Sequence, residues 1–117
     1  MKTILVINND FDTMSLLKRW MEIKGYKVKF TGNHGEAIRL MKEFKPSLVI
    51  IDILQNAVLA DIRARPEFEN VPILLMTGYT WSCTPKNLPV DDSIEKPFDL
   101  SLFESKIKVL LDNNVKV

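Results

Sequence analysis

Apolar residues in this chain follow two rhythms that take turns. Thr3–Ile7 is a nearly continuous apolar run, and so is Pro46-Ser47-Leu48-Val49-Ile50-Ile51-Asp52-Ile53. A run that is apolar on both faces suits a strand covered by helices above and below, as in the middle of a parallel sheet. Val71–Met76, opened by Pro72 and closed by Thr77-Gly78, predicts a third such strand. Tyr26–Phe30 alternates Tyr26, Val28 and Phe30 with lysines, which predicts a strand with one wetter face near a sheet edge. Asp91–Glu95 predicts a short, polar fifth strand that ends at Lys96-Pro97-Phe98.

Helical spacing fills the intervals. Phe11–Lys24 carries Met14, Leu17 and Met21, with Leu16, Trp20 and Ile23 beside them, and Gly25 is the expected stop. After the loop Thr31–Gly35, Glu36–Phe44 offers Ala37, Ile38, Met41 and Phe44 as a buried stripe. Lys45-Pro46 breaks that helix. A helix over Asn56–Ala64 is ended by Pro66, and a last one over Leu100–Asp112 turns Leu102, Phe103, Ile107, Leu110 and Leu111 inward. Tyr79–Pro89 has prolines and no apolar stripe, leaving room for one or two helical turns at most. Strand and helix alternating with short connections predict an α/β fold, with parallel strands, right-handed crossovers and helices on both faces.

Composition narrows the function. The 117 residues suit one compact domain over 1–117, and no linker or second core is visible. A net charge of +1 argues against a strongly basic nucleic-acid surface. No apolar run approaches the roughly 20 residues that cross a bilayer, and the first residues read directly as a strand, so a cytoplasmic protein is expected. The single cysteine, Cys83, excludes an internal disulfide. The single histidine, His34, has no second histidine or cysteine near it to share a metal.

The candidate chemistry lies where the strands end. Asp52 closes an apolar run, where a carboxylate is costly to bury. Either it caps the next helix or it belongs to a site, since ligands gather at the carboxyl ends of parallel strands. Asn8-Asn9-Asp10 end the first strand, Thr77 the fourth and Lys96 the fifth, all on the same sheet edge. A carboxylate, a hydroxyl, an ammonium and a polar cluster converging there have the parts of a phosphoryl-transfer site.

With those residues in order, the chain resembles bacterial two-component response-regulator receiver domains, the CheY-like family, from Ile4-Leu5-Val6-Ile7 to the final helix. The resemblance rests on Leu48-Val49-Ile50-Ile51-Asp52, Thr77-Gly78 and Lys96-Pro97-Phe98. It implies a flavodoxin-like (βα)5 domain with strand order 2-1-3-4-5. It also implies Asp52 as phosphoacceptor, Thr77 and Lys96 as the groups that hold the phosphoryl oxygens, and a cis peptide bond between Lys96 and Pro97. The implied partners are a sensor histidine kinase or phosphotransfer protein and a downstream effector protein, with neither nucleic acid nor membrane. No output domain is expected, and no enzymatic activity.

Three departures accompany the resemblance. Asn8 and Asn9 stand where the family has an acidic pair, so the expected Mg2+ ligands, Asn9, Asp52 and the Leu54 backbone carbonyl with Asn8 and Asp10 nearby, form a weak set. Magnesium favours carboxylates, and one charge lost at contact distance is worth on the order of 4 kcal/mol before desolvation. Weak or absent Mg2+ is expected, with Asn9→Asp expected to restore it. The stretch after Asp52 lacks the family's Met-Pro and Asp-Gly loop and is shorter. Ser93 occupies the place of the switch aromatic. A phosphorylated receiver and a pseudo-receiver that only binds partners both stay open. A flavin or nucleotide carrier is disfavoured, because no glycine-rich loop follows the first strand.

Overall fold

A computed structural model describes residues 2–78, 89–96 and 98–113. Along the chain these are β1 (Thr3–Ile7), α1 (Phe11–Ile23), β2 (Lys27–Thr31), α2 (His34–Phe44), β3 (Leu48–Asp52), α3 (Asn56–Arg63), β4 (Ile73–Thr77), β5 (Asp92–Glu95) and α4 (Leu100–Asn113). Two 3-10 turns, Ile53–Gln55 and Pro66–Phe68, flank α3. Every strand pairing is parallel, in the order β2-β1-β3-β4-β5. That is the order the resemblance implied. The irregular segment, Cys83 and the Lys96–Pro97 peptide lie outside the described residues.

Side chains alternate across the sheet with period two and build one core on each face. Ile4, Val6, Leu48, Ile50, Leu74 and Met76 pack against Met14, Leu17 and Met21 of α1 and Phe103, Ile107 and Leu110 of α4. Leu5, Ile7, Val49, Ile51, Ile73 and Leu75 pack against α2 and α3 on the other face. Strands β1, β3 and β4 are therefore buried on both sides, which is why they read as unbroken apolar runs. β2, at the edge, exposes Lys27 and Lys29 as its alternation required.

Some expected details differ. Of the two apolar rows on α1, only Met14, Leu17 and Met21 enter the core. Leu16 and Ile23 stand 74% and 75% exposed. A helix lying on a sheet buries one stripe, and the second row falls to its outer flank. Trp20 is between the two, tilted against Phe103 of α4 with ring centroids 5.8 Å apart. Leu102 is exposed for the same reason as Leu16. α2 starts two residues early, at His34, because Asn33 Oδ1 accepts the Glu36 N–H at 2.8 Å and caps the helix. β4 begins at Ile73 and runs through Thr77.

The amino-terminal edge of the sheet is held by Arg63, which the sequence did not single out. Its guanidinium donates to the carbonyls of Val71 at 3.0 Å and Pro89 at 2.7 Å and pairs with Asp91 at 3.0 Å. Asp91 in turn accepts the Ile73 N–H at 2.8 Å. One side chain thus ties the end of α3 to the starts of β4 and β5.

Candidate functional site

Register decides what meets at the carboxyl edge. Ile7 pairs with Ile51, so the next residues, Asn8 and Asp52, lie side by side. Asp52 pairs with Met76, so Thr77 projects one step beyond it. Thr77 pairs with Glu95, and Lys96 follows. Asn8, Asp52 and Thr77 are all buried.

Asp52 is engaged on both oxygens. Lys96 Nζ donates to Oδ2 at 2.8 Å and Asn8 Nδ2 donates to the same oxygen at 3.1 Å. The Leu54 N–H donates to Oδ1 at 2.9 Å. Asp52 therefore both caps the 3-10 turn that follows it and sits in a site, so the two readings of this carboxylate are compatible. The shortened stretch after Asp52 explains the cap: β3 runs straight into a turn whose first free N–H must find an acceptor. The Lys96–Asp52 pair is partly buried, with the carboxylate side chain 10% exposed and the lysine 30%. Lys96 is aimed by its own backbone, whose N–H donates to the Thr77 carbonyl at 2.7 Å.

The orientation of the Asn8 amide follows from its neighbours. Its oxygen accepts the Asp10 N–H at 2.6 Å, and its nitrogen faces the Asp52 carboxylate. Rotating the amide would set oxygen against oxygen and NH2 against N–H, so only one orientation is satisfied. The strand end is pinned by the Asn8 N–H donating to the Thr31 carbonyl at 2.9 Å. Gly32 lies directly beside it. A Cβ at Gly32 would come within 2.6 Å of Asn9 Cβ and 3.0 Å of Asn9 Cα.

Among the predicted residues, Asp52, Lys96 and Asn8 are in direct contact and Thr77 is adjacent. Asn9 and Asp10 are exposed, and among the described residues Asn9 makes no hydrogen bond to Asp52. From Leu54 it is the N–H that reaches Asp52. His34 lies away from this cluster and meets Asp61 of α3 at 2.9 Å. Asp61 also accepts from Arg65 at 3.0 Å. His34 first, and Arg65 after it, hold the Asp61 carboxyl below its ordinary range. The donor role of Asn8 and the close approach at Gly32 escaped the sequence reading. The one signal for the former was that an amide, unlike the acid it replaces, can donate.

A family model described as the response regulator receiver domain matches residues 4–108. The chain belongs to the response regulator receiver family. This receiver is 27% identical over 122 residues to the probable transcriptional regulator ycf27 of Porphyra purpurea, an alignment covering 97% of this chain and 49% of that protein. It is 25% identical over 114 residues to the transcriptional regulatory protein PrrA of Mycobacterium tuberculosis, covering 92% of this chain and 49% of that protein. The chain thus spans about half the length of these curated relatives. Among solved structures, it resembles the response regulator protein TrrA of Thermotoga maritima in complex with Mg2+ and BeF, with 28% identity, a TM-score of 0.77 and coverage of 94% and 99% of the two chains. It also resembles a chain in the structure of the histidine kinase ThkA in complex with TrrA, at 27% identity and a TM-score of 0.81, covering 95% and 99% of the two chains. It is a receiver domain of the kind used in two-component signalling, and receiver domains as a family are signalling modules.

Receiver domains generally bind Mg2+ at the phosphorylation site. The residues present here do not fit that ion. Asp52 supplies one carboxylate, both oxygens of which already accept protein donors, and Asn8 offers nitrogen where a ligand oxygen is needed. Among the described residues no three His, Cys, Asp or Glu side chains gather in a way that could hold a metal.

Proposed function

We propose that this receiver accepts a phosphoryl group on Asp52 and passes the signal on through protein contacts. The observation that carries the reading is the Lys96 ammonium 2.8 Å from Asp52 at the carboxyl edge of the sheet. A phosphohistidine on a sensor histidine kinase or phosphotransfer protein is the donor. An Asp52 oxygen attacks phosphorus, the new P–O bond forms and the P–N bond breaks. The leaving imidazole nitrogen keeps the electron pair and takes a proton from solvent. The transferred oxygens then take over the Lys96 ammonium, with the Thr77 hydroxyl as a second donor, so the negative charge developed in transfer meets donors already in place. Output runs to a downstream effector protein. A cytoplasmic setting is part of the proposal, and no described helix is long and apolar enough to cross a membrane.

Intact mass after treatment with a small phosphodonor tests the reading. One added phosphoryl mass is expected, lost in Asp52→Asn. No gain in the wild-type chain overturns it. The second reading, a receiver that works as a binding module without phosphorylation, is favoured by the engagement of both Asp52 oxygens before any donor arrives. It requires partner binding that is unchanged by Asp52→Asn.

A further inference from the structure

We propose that Asn8 occupies the electrostatic place of the metal, so that the Asp52 site is complete without a divalent cation. In a site built around an ion, acidic side chains repel one another until the ion binds. Here the residue beside Asp52 is an amide whose NH2 points at the carboxylate, at 3.1 Å, while Lys96 contributes the positive charge to the same oxygen. Asn8 cannot rotate to offer its oxygen instead, because that oxygen accepts the Asp10 N–H and a rotation loses both bonds. The third donor, the Leu54 N–H, engages Oδ1. The carboxylate is thus compensated by an ammonium and two N–H donors of its own chain, and no buried polar side-chain atom among the described residues lacks a partner. A cation entering this site would meet the Asn8 NH2 and the Lys96 ammonium where a second carboxylate would be needed.

The consequence concerns stability first and chemistry second. Folding and melting of the wild-type chain are independent of Mg2+. An aspartate at position 8 would bring a second anion to hydrogen-bonding distance of Asp52, destabilising the metal-free state and creating a carboxylate pair of the kind Mg2+ favours. Asn8 is a positioning residue in this account, acting on the reactive carboxylate and not on the phosphoryl group. The inference rests on Asp52 being the reactive carboxylate, yet its principal readout, thermal stability, does not depend on phosphorylation.

The test compares melting temperatures of the full chain in EDTA and in millimolar MgCl2 for wild type, Asn8→Asp and Asn8→Ala. Wild type is expected to melt at the same temperature in both. Asn8→Asp is expected to fall by roughly 4–8 °C in EDTA and to recover with MgCl2. Asn8→Ala, which loses the donor without gaining a charge, should fall in both and not recover. A purely structural role for Asn8 would lower both variants without any magnesium-dependent recovery. A wild-type melting point that rises with MgCl2 overturns the proposal, as does an Asn8→Asp chain as stable as wild type in EDTA. If Asn8→Asp does not fold in EDTA, folding of that variant in MgCl2 supports the proposal and failure to fold in both overturns it. Phosphodonor labelling of wild type gives the independent arm. Equal labelling in EDTA and MgCl2 supports the proposal, and labelling only with MgCl2 overturns it. No labelling in either, with metal-independent melting, sinks the phosphoacceptor reading and leaves the proposal standing.

Discussion

Gly32 lies so close to Asn9 that a methyl group on it would come within 2.6 Å of Asn9 Cβ and 3.0 Å of its Cα. The β2–α2 connection therefore crosses the end of β1 at backbone contact, just where Asn8 hydrogen-bonds the Thr31 carbonyl. Because one obstructing atom is main chain, a rotamer change alone cannot relieve the clash. Gly32→Ala should push the two connections apart and cost about 1–3 kcal/mol. A lower urea midpoint at unchanged slope is the expected result. An unchanged midpoint would show that the two loops separate freely.

Lys96→Ala removes the ammonium from Asp52. A hydrogen bond to a charged group is worth about 1.5–3 kcal/mol, and the lysine side chain, 30% exposed, is partly screened by solvent. A loss of roughly 1–2 kcal/mol follows on that discount. Labelling at Asp52 should fall as well, since among the described residues the ammonium is the full positive charge on the accepting oxygen. Unchanged labelling with reduced stability would confine Lys96 to holding the strand end.

Arg63→Ala leaves the Val71 and Pro89 carbonyls and the Asp91 carboxylate without their shared donor. The arginine side chain is only 16% exposed, but Asp91 is 44% exposed and Pro89 is exposed, so those two groups regain water and the loss falls mainly on the part-buried Val71 carbonyl. The expected cost is about 1–2 kcal/mol. Arg63→Lys should recover little of it, because a point charge cannot serve carbonyls lying in several directions. Full recovery by lysine would mean that the Asp91 ion pair alone matters.

Asp61 makes a pH-dependent contribution. His34 and then Arg65 hold its carboxyl below the ordinary value of 3.8. A folded-state value below the unfolded one gives stability that is present above the unfolded value and is lost as pH falls through the folded one. The stability difference between wild type and Asp61→Asn should therefore be at its full size above the ordinary carboxylate range and shrink as pH falls below 3.8. Urea denaturation across the acidic range measures it. A gap that stays constant through that range would remove Asp61 from the acid response.

The order of strands and helices, and the edge on which the polar residues collect, were legible in the chain. Runs such as Leu48–Ile51 can be buried on both faces only between two helical layers, and alternation with helices forces parallel pairing, so Asn8, Asp52, Thr77 and Lys96 had to share one edge. The aim of each side chain on that edge was decided in three dimensions. Nothing in Asn8-Asn9-Asp10 says which residue faces Asp52. That follows from the pairing of Ile7 with Ile51, which sets Asn8 beside the carboxylate and leaves Asn9 exposed. Likewise Leu16 and Met14 are equally apolar in the sequence, and only the seating of α1 on the sheet buries one and exposes the other. Arg63 looked like an ordinary charge at a helix end until the chain brought Val71, Pro89 and Asp91 around it. Periodicity records which residues can be buried. Partners distant along the chain, such as Asn8 and Asp52 or Arg63 and Asp91, are chosen by strand register and helix seating, which arise from the packing of all the elements together.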